Sequence, residues 1–360
     1  MSTRREFLGN VGLAGLCFVG CNLLAPRASH AQGRRMVKVA GKRARVIDVH
    51  AHVAVAEALE LAGLKLGEGA LRPDLAVPTT LDQRIAAMDA QGIDIEALSI
   101  NAFWYGKERD LAAKICELQN ERLAEVCAKH ADRFVAFATV ALQFPELAAE
   151  QLEQAVKKYH LRGAAIGGSV AGLELANPKF DPFWARAEAL GAVIFIHPQG
   201  MGDLNGRFKG NGMLGNVIGN PLETTIALSH LIFEGTLDRF PGLKICAAHG
   251  GGYLPSYMHR SDHGCMTFPE QCTAGTPRKA PTEYVKQMYF DSLVFTPEAL
   301  RHLVAEVGAD RIMLGTDYPY PWVSTAVDHV LRTASLSDRD REAILGGTAA
   351  RLLGLPPRIS

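Results

Sequence analysis

Eight short apolar runs, each followed by a segment of helical periodicity, constrain this 360-residue chain more than any other feature. The runs are 46–49, 93–100, 134–140, 164–167, 192–196, 243–248, 288–290 and 312–315. Runs this short, bounded by turn residues, read as strands buried on both faces. Between them lie amphipathic stretches that begin at Thr80 and at 108–130, 145–159, 182–190, 221–240, 297–307 and 325–334. Thr80 with Gln83 three residues on reads as a capping box, and Gly92 as the stop. Proline at or near the first turn suits most of the later starts. The alternation predicts an α/β protein, a single (β/α)8 barrel. A doubly wound open sheet is the other arrangement, but its first strand usually leads into a Gly-rich phosphate loop. Here the first run leads into a histidine pair. No internal repeat or low-complexity tract interrupts the pattern, and the Gly-rich stretch 200–219 reads as one long loop.

The amino end reads as an address. Arg4 and Arg5 are adjacent, an uncharged and largely apolar stretch covers 9–24, and Ser29 and Ala31 are small. That is the layout of a twin-arginine export signal, with residues 1–31 removed and 32–360 forming the barrel. The location expected is the periplasm. A stretch of this length is short for a membrane span. Lipidation at Cys21 is the lesser alternative, because Phe18 fits a lipobox poorly. Cleavage would leave five of the seven cysteines. They show no CxxC pair and no disulfide-like spacing, so buried thiols are expected rather than a stapled scaffold or a zinc finger. Basic and acidic side chains balance at 38 each. A nucleic-acid partner normally brings a basic excess, so none is expected.

The ionisable residues fall where the runs end. His50 and His52 close the first run two residues apart, so on an extended chain both imidazoles point the same way and can converge on one ion. His197 ends the fifth run, His249 the sixth, and Asp317 follows the eighth. In a barrel these ends form one rim, where the chemistry sits. Asp48 and Asp291 are candidates to orient a ligand histidine, or are buried structural carboxylates. Phe103, with Trp104 and Tyr105, lines an aromatic pocket or forms an ordinary rim cluster.

The motifs VIDVHAHV, FIHPQG, FPGLKICAAHGGG and MLGTDYPYP resemble the amidohydrolase superfamily, and more narrowly its aminocarboxymuconate-semialdehyde decarboxylase-related branch. The stretches LDQRIAAMDAQGIDIEALSI and NPLETTIALSHLIFEGTLDRFPGLKICAAHGGGYLPSYMHR are similar to that branch throughout, and the resemblance covers roughly residues 46 to 354. It implies one divalent metal, zinc or else manganese, on His50, His52, His197 and Asp317, with His249 off the metal as general acid/base. It implies substrate-carboxylate contacts for Arg84 and for Arg260, the latter reaching a neighbouring subunit's site, hence a homodimer. By residue type alone both arginines read equally as solvated helix positions.

The reaction implied is non-oxidative decarboxylation of an unsaturated or aromatic carboxylic acid. One departure bears on substrate: the branch's semialdehyde decarboxylases read His-Pro-Trp-Asp where this chain reads His197-Pro198-Gln199-Gly200. Gln199 then puts an amide against the substrate in place of an apolar wall. The alternatives are a metal-dependent hydrolase or hydratase of a lactone, amide or related acid, and a non-catalytic barrel that uses its metal for stability.

Overall fold

The computed structural model describes residues 33–69, 71–272, 278–322 and 325–356. The signal-like segment 1–31 lies outside them. Eight parallel strands follow the eight apolar runs: β1 (Ile47–His52), β2 (Ile95–Ser99), β3 (Phe134–Ala136), β4 (Gly163–Ile166), β5 (Val193–Ile196), β6 (Lys244–Ala247), β7 (Tyr289–Asp291) and β8 (Ile312–Met313). Two arcs, β1-β2-β3 and β4-β5-β6-β7-β8, pair in sequence order. Parallel bridges between Ala138 and Ala164 and between Ala51 and Tyr318 close them into one barrel.

The inside of the barrel is packed by Ile47, Val49, Ile95, Ala97, Val135, Phe195, Ala248 and Met313, and the helix Thr348–Leu352 plugs one end with Ala349 and Leu352. Residues of opposite phase, such as Leu98, Ile194 and Ala247, pack outward against the helices. These include α1 (Leu81–Gln91), α2 (Arg109–Lys129), α3 (Pro145–Lys157), α4 (Asp181–Leu190), α5 (Asn220–Phe233), α6 (Leu254–Thr267) and α7 (Pro297–Val307). Each buries one stripe, as strand-helix alternation requires.

Four local expectations need correction. The capping box at Thr80 does not form, because its hydroxyl turns back and donates to the Ala76 carbonyl at 2.6 Å. The helical stretch 221–240 is two helices, broken where Gly235 takes a left-handed φ of 73° before Thr236–Arg239. The loop 200–219 is shorter than it reads, since Gly215–Gly219 already coils in a wide turn that runs into α5. Cys265 and Cys272 form a disulfide, with Cα atoms 5.5 Å apart, because the chain folds back at the end of α6. Of the free thiols, Cys116 and Cys246 are buried as expected, and Cys127 is half-buried. Among the described residues, no helix is long and apolar enough to cross a membrane.

Candidate metal centre

The histidine pair of β1 is turned inward by an irregularity that alternation alone does not reveal. Odd-numbered Ile47 and Val49 face the barrel interior. In a regular strand His50 and His52 would then share the outward face of Asp48. The pairing with β2 instead shifts by one residue between Asp48 and Ala51. A bulge of this kind reverses the phase of every side chain beyond it. Asp48 keeps the outer phase and secures the turn, accepting the His50 N–H at 2.9 Å and the Thr316 N–H at 3.1 Å. Burial, with Glu96 nearby, pushes its carboxyl up to about 8.

His50, His52, His197 and Asp317 offer four ligand atoms that all lie within 4.8 Å of one another, and all four residues are buried. Nε2 of His50 stands 3.0 Å from Nε2 of His52, and Oδ1 of Asp317 lies 3.2 and 2.8 Å from those two atoms. Nδ1 of His50 donates to Oδ2 of Asp291 at 2.6 Å, so its Nε2 presents a lone pair. Lone pairs facing one another in a dry pocket need a cation between them. Nδ1 of His197 and Oδ1 of Asp317 are also buried without a hydrogen-bond partner.

The electrostatics agree. Burial opposes charge on His50, but Asp317 and Asp291 outweigh it and push the imidazole up to about 10. Burial likewise opposes charge on Asp317, yet His50 and His52 hold its carboxyl well below the usual range. Burial and the neighbouring imidazoles hold His197 far down, so it is neutral. A cluster that draws in a proton when empty of metal suits a divalent ion, and three neutral imidazoles with one carboxylate suit zinc or a related metal.

His249 stands beside this set and outside it. Its ring lies 5.1 Å from that of His50 and 5.2 Å from that of His197. Burial, then His50, pushes it down to about 4. Its N–H donates to Oδ2 of Asp291 at 2.8 Å, so this aspartate, offered by the sequence as one of two readings, ties a ligand to the neighbouring histidine. His249 and Asp317 both adopt left-handed backbone, φ 56° and 61°. Non-glycine residues rarely do so, and functional sites are where they collect. Asp317 is held there by its own N–H, which donates to the His50 carbonyl at 2.8 Å.

The substrate residues expected from the resemblance fare differently. Phe103 is half-buried beside Trp104 on the loop after β2. Arg84 is not solvated. It is 1% exposed, pairs with Glu96 at 2.9 Å, donates to the His52 carbonyl and lies 4.6 Å from the Tyr318 ring centre. Its charge offsets the buried Glu96 and it supports His52 from behind. Arg260 is exposed on α6 and is not part of the cluster. The amide of Gln199 is engaged by backbone: oriented to suit its neighbours, it donates to the Ala102 carbonyl and accepts the Ala102 N–H.

Sequence reasoning passed over three residues. Glu223, in the first turn of α5, is buried and accepts the Gln199 and Gly200 N–H groups. Tyr320 sets its ring 5.5 Å from that of His52. Arg72, paired with Asp74, acts electrostatically on Tyr318 and Tyr320. The signals were present but faint: an acid just after a helix-starting proline, and a lone Arg-Pro in a loop.

Known proteins share this layout. The 2-amino-3-carboxymuconate-6-semialdehyde decarboxylase of Dictyostelium discoideum is 33% identical over 77% of this chain and 77% of its own length. The gamma-resorcylate decarboxylase of a Rhizobium species (strain MTP-10005) is 33% identical over 76% of this chain and 86% of its own. A dihydroxybenzoic acid decarboxylase from Polaromonas sp. JS666, solved with manganese and 2-nitroresorcinol, superposes with a TM-score of 0.77 at 29% identity, covering 86% of this chain and 97% of that one. The family described as Amidohydrolase matches residues 47–355, which span the barrel from β1 to the closing helix with every ligand of the metal centre inside, and the chain belongs to that family.

Proposed function

We propose that this protein is a metal-dependent decarboxylase that replaces the carboxylate of an aromatic or conjugated unsaturated acid with a proton, without oxidation. The observation that carries this is the position of His249: half-buried and against two ligand imidazoles, yet outside the four-residue metal set. A divalent ion on His50, His52, His197 and Asp317 would supply positive charge to a substrate oxygen beside the carbon that is protonated. Zinc fits three neutral imidazoles, and manganese is the competing metal because the Polaromonas relative holds it.

The protein's own groups do the rest. His249, neutral at pH 7, takes a proton from water or from a substrate hydroxyl and passes it to the carbon that bears the carboxylate. The carbon–carbon bond then breaks, its electron pair restores the π system, and CO2 leaves. Asp291 fixes the backbone of His249 and the tautomer of His50 at once. Arg72, whose charge acts on Tyr320 beside His52, holds a second anionic or hydroxyl group of the substrate. Phe103 supplies an apolar wall for a planar ring.

The test is turnover of the metal-loaded protein in D2O against hydroxybenzoates and carboxymuconate semialdehydes. One deuteron on the carbon that carried the carboxylate, with one CO2 per turnover, is the expected outcome. Incorporation of labelled water oxygen without CO2 would replace this reading with hydrolysis.

We infer further that the protein acts in the periplasm after twin-arginine export. Arg4-Arg5 before an uncharged apolar stretch and the Cys265–Cys272 disulfide support this. Fractionation of cells expressing the wild type and an Arg4→Lys, Arg5→Lys variant checks it. A homodimer built on α6, where Tyr257, Arg260, Met266 and Phe268 with its neighbouring turn are exposed, is tested by sedimentation.

A further inference from the structure

Glu223, 5% exposed at the start of α5, is a buried carboxylate that the chemistry leaves unused. Its Oε2 accepts the Gln199 N–H at 2.8 Å and the Gly200 N–H at 2.6 Å, just past the ligand His197. Its shaft lies against Gly168 so closely that a Cβ there would stand 2.8 Å from Glu223 Cγ. Gln199, fixed at its backbone in this way, pairs its amide with Ala102, donating to the carbonyl at 2.5 Å and accepting the N–H at 3.1 Å. Its Cγ would be 2.8 Å from a Cβ on Gly167, whose N–H donates to the Tyr105 hydroxyl at 3.2 Å. The loops after β2, β4 and β5 are thus joined end to end, and the chain of contacts starts at one carboxylate.

We propose that Glu223 and Gln199 form a staple that sets the position of the Ala102–Tyr105 wall, and with it the width of the substrate pocket beside Phe103. Gln199 acts through Ala102 and does not contact substrate: it is a positioning residue, and Glu223 positions Gln199. An amide that mimics a strand edge gives two directional hydrogen bonds at fixed spacing, which an apolar side chain cannot supply. A pocket held at fixed width selects by substituent size, so the staple governs which ring-bearing acid is accepted rather than how fast the bound acid reacts. Only the kinetic half of this inference rests on the decarboxylase reading.

The experiment compares wild type, Gln199→Leu and Glu223→Leu as metal-loaded full chains. Hydrogen exchange is read first, since it needs no substrate. Gln199→Leu is expected to speed exchange at residues 102–106 by about tenfold, the loss of roughly one hydrogen bond. Glu223→Leu, which removes the accepting oxygen, is expected to speed exchange at 199–200 and at 102–106 together. Metal content stays at the wild-type level in both. With an accepted substrate in hand, Gln199→Leu raises KM by about tenfold while kcat changes little, and it narrows the preference between unsubstituted and ring-substituted acids. Unchanged exchange at 102–106 in Gln199→Leu overturns the staple, even if no substrate is ever found. A fall in kcat at constant KM overturns the positioning role, because Gln199 would then act on the reacting groups. Loss of metal in Gln199→Leu overturns it too, because the contacts would then serve His197. Failure of every acid with exchange altered as expected counts against the decarboxylase reading alone.

Discussion

Oδ2 of Asp291 lies 2.6 Å from Nδ1 of His50, and the same oxygen accepts the backbone N–H of His249 at 2.8 Å. Its other oxygen accepts the Gly250 and Leu293 N–H groups at 2.9 and 3.0 Å. Asp291→Asn puts an NH2 where an oxygen must accept, and so disturbs a metal ligand and the histidine beside it together. Metal affinity, measured by competition with a chelator, is expected to fall about 10- to 100-fold. Retention of wild-type affinity would detach Asp291 from the metal.

His249 stands outside the ligand set, so its loss separates binding from chemistry. His249→Ala is expected to keep one metal per chain and to lose turnover by at least about 10²-fold. His50→Ala should lose metal and turnover together. Elemental analysis beside CO2 release distinguishes the two variants.

Arg84 gives a prediction of the opposite kind. Its pair with Glu96 is buried, and Glu96 faces Asp48 across β1 and β2 in register. Arg84→Met leaves the buried Glu96 without its paired cation and should cost about 3–5 kcal/mol of stability. The fraction that remains folded should keep its KM. A large rise in KM with full stability would return Arg84 to the substrate.

Stripping the metal leaves His50 to gather a proton between Asp317 and Asp291. The metal binds the folded form alone, so chelation should lower the thermal midpoint, and re-addition should restore it in proportion to ln(1 + [metal]/Kd). A midpoint indifferent to metal would argue that the four donors are not a binding site.

Burial pushes the Glu223 carboxyl up to about 7 from 4.5. The folded protein therefore holds a proton that the unfolded chain releases between those values, so this group's contribution is full below pH 4.5 and is lost as pH rises through 7. Because Oε2 does the accepting, a proton on the other oxygen leaves the staple in place. Urea unfolding of wild type and Glu223→Gln should show the variant gaining relative stability from pH 5 to pH 8. A difference independent of pH would contradict this.

The eight strands were legible because both faces are buried and the apolar runs are continuous. The five rim residues were legible because strand ends share one rim, and the family resemblance divided them into four ligands and His249. The device that turns His50 and His52 inward was not: a one-residue register shift leaves no mark in composition. Arg84 misled because a helix arginine gives no sign of being paired behind a ligand rather than in front of it. The pairing of Gln199 with Ala102 was not legible either, since an amide that binds backbone and one that binds substrate have the same sequence. The disulfide was missed because two cysteines seven residues apart meet only once the end of α6 folds back.

The left-handed backbone at His249 and Asp317 bears on how this protein responds to selection. Each residue holds a conformation that costs a side chain about 1–3 kcal/mol and costs glycine little. A library screened for heat resistance alone should therefore enrich glycine at His249, where no ligand is lost, while metal binding retains Asp317, and its most robust survivors would be inert barrels.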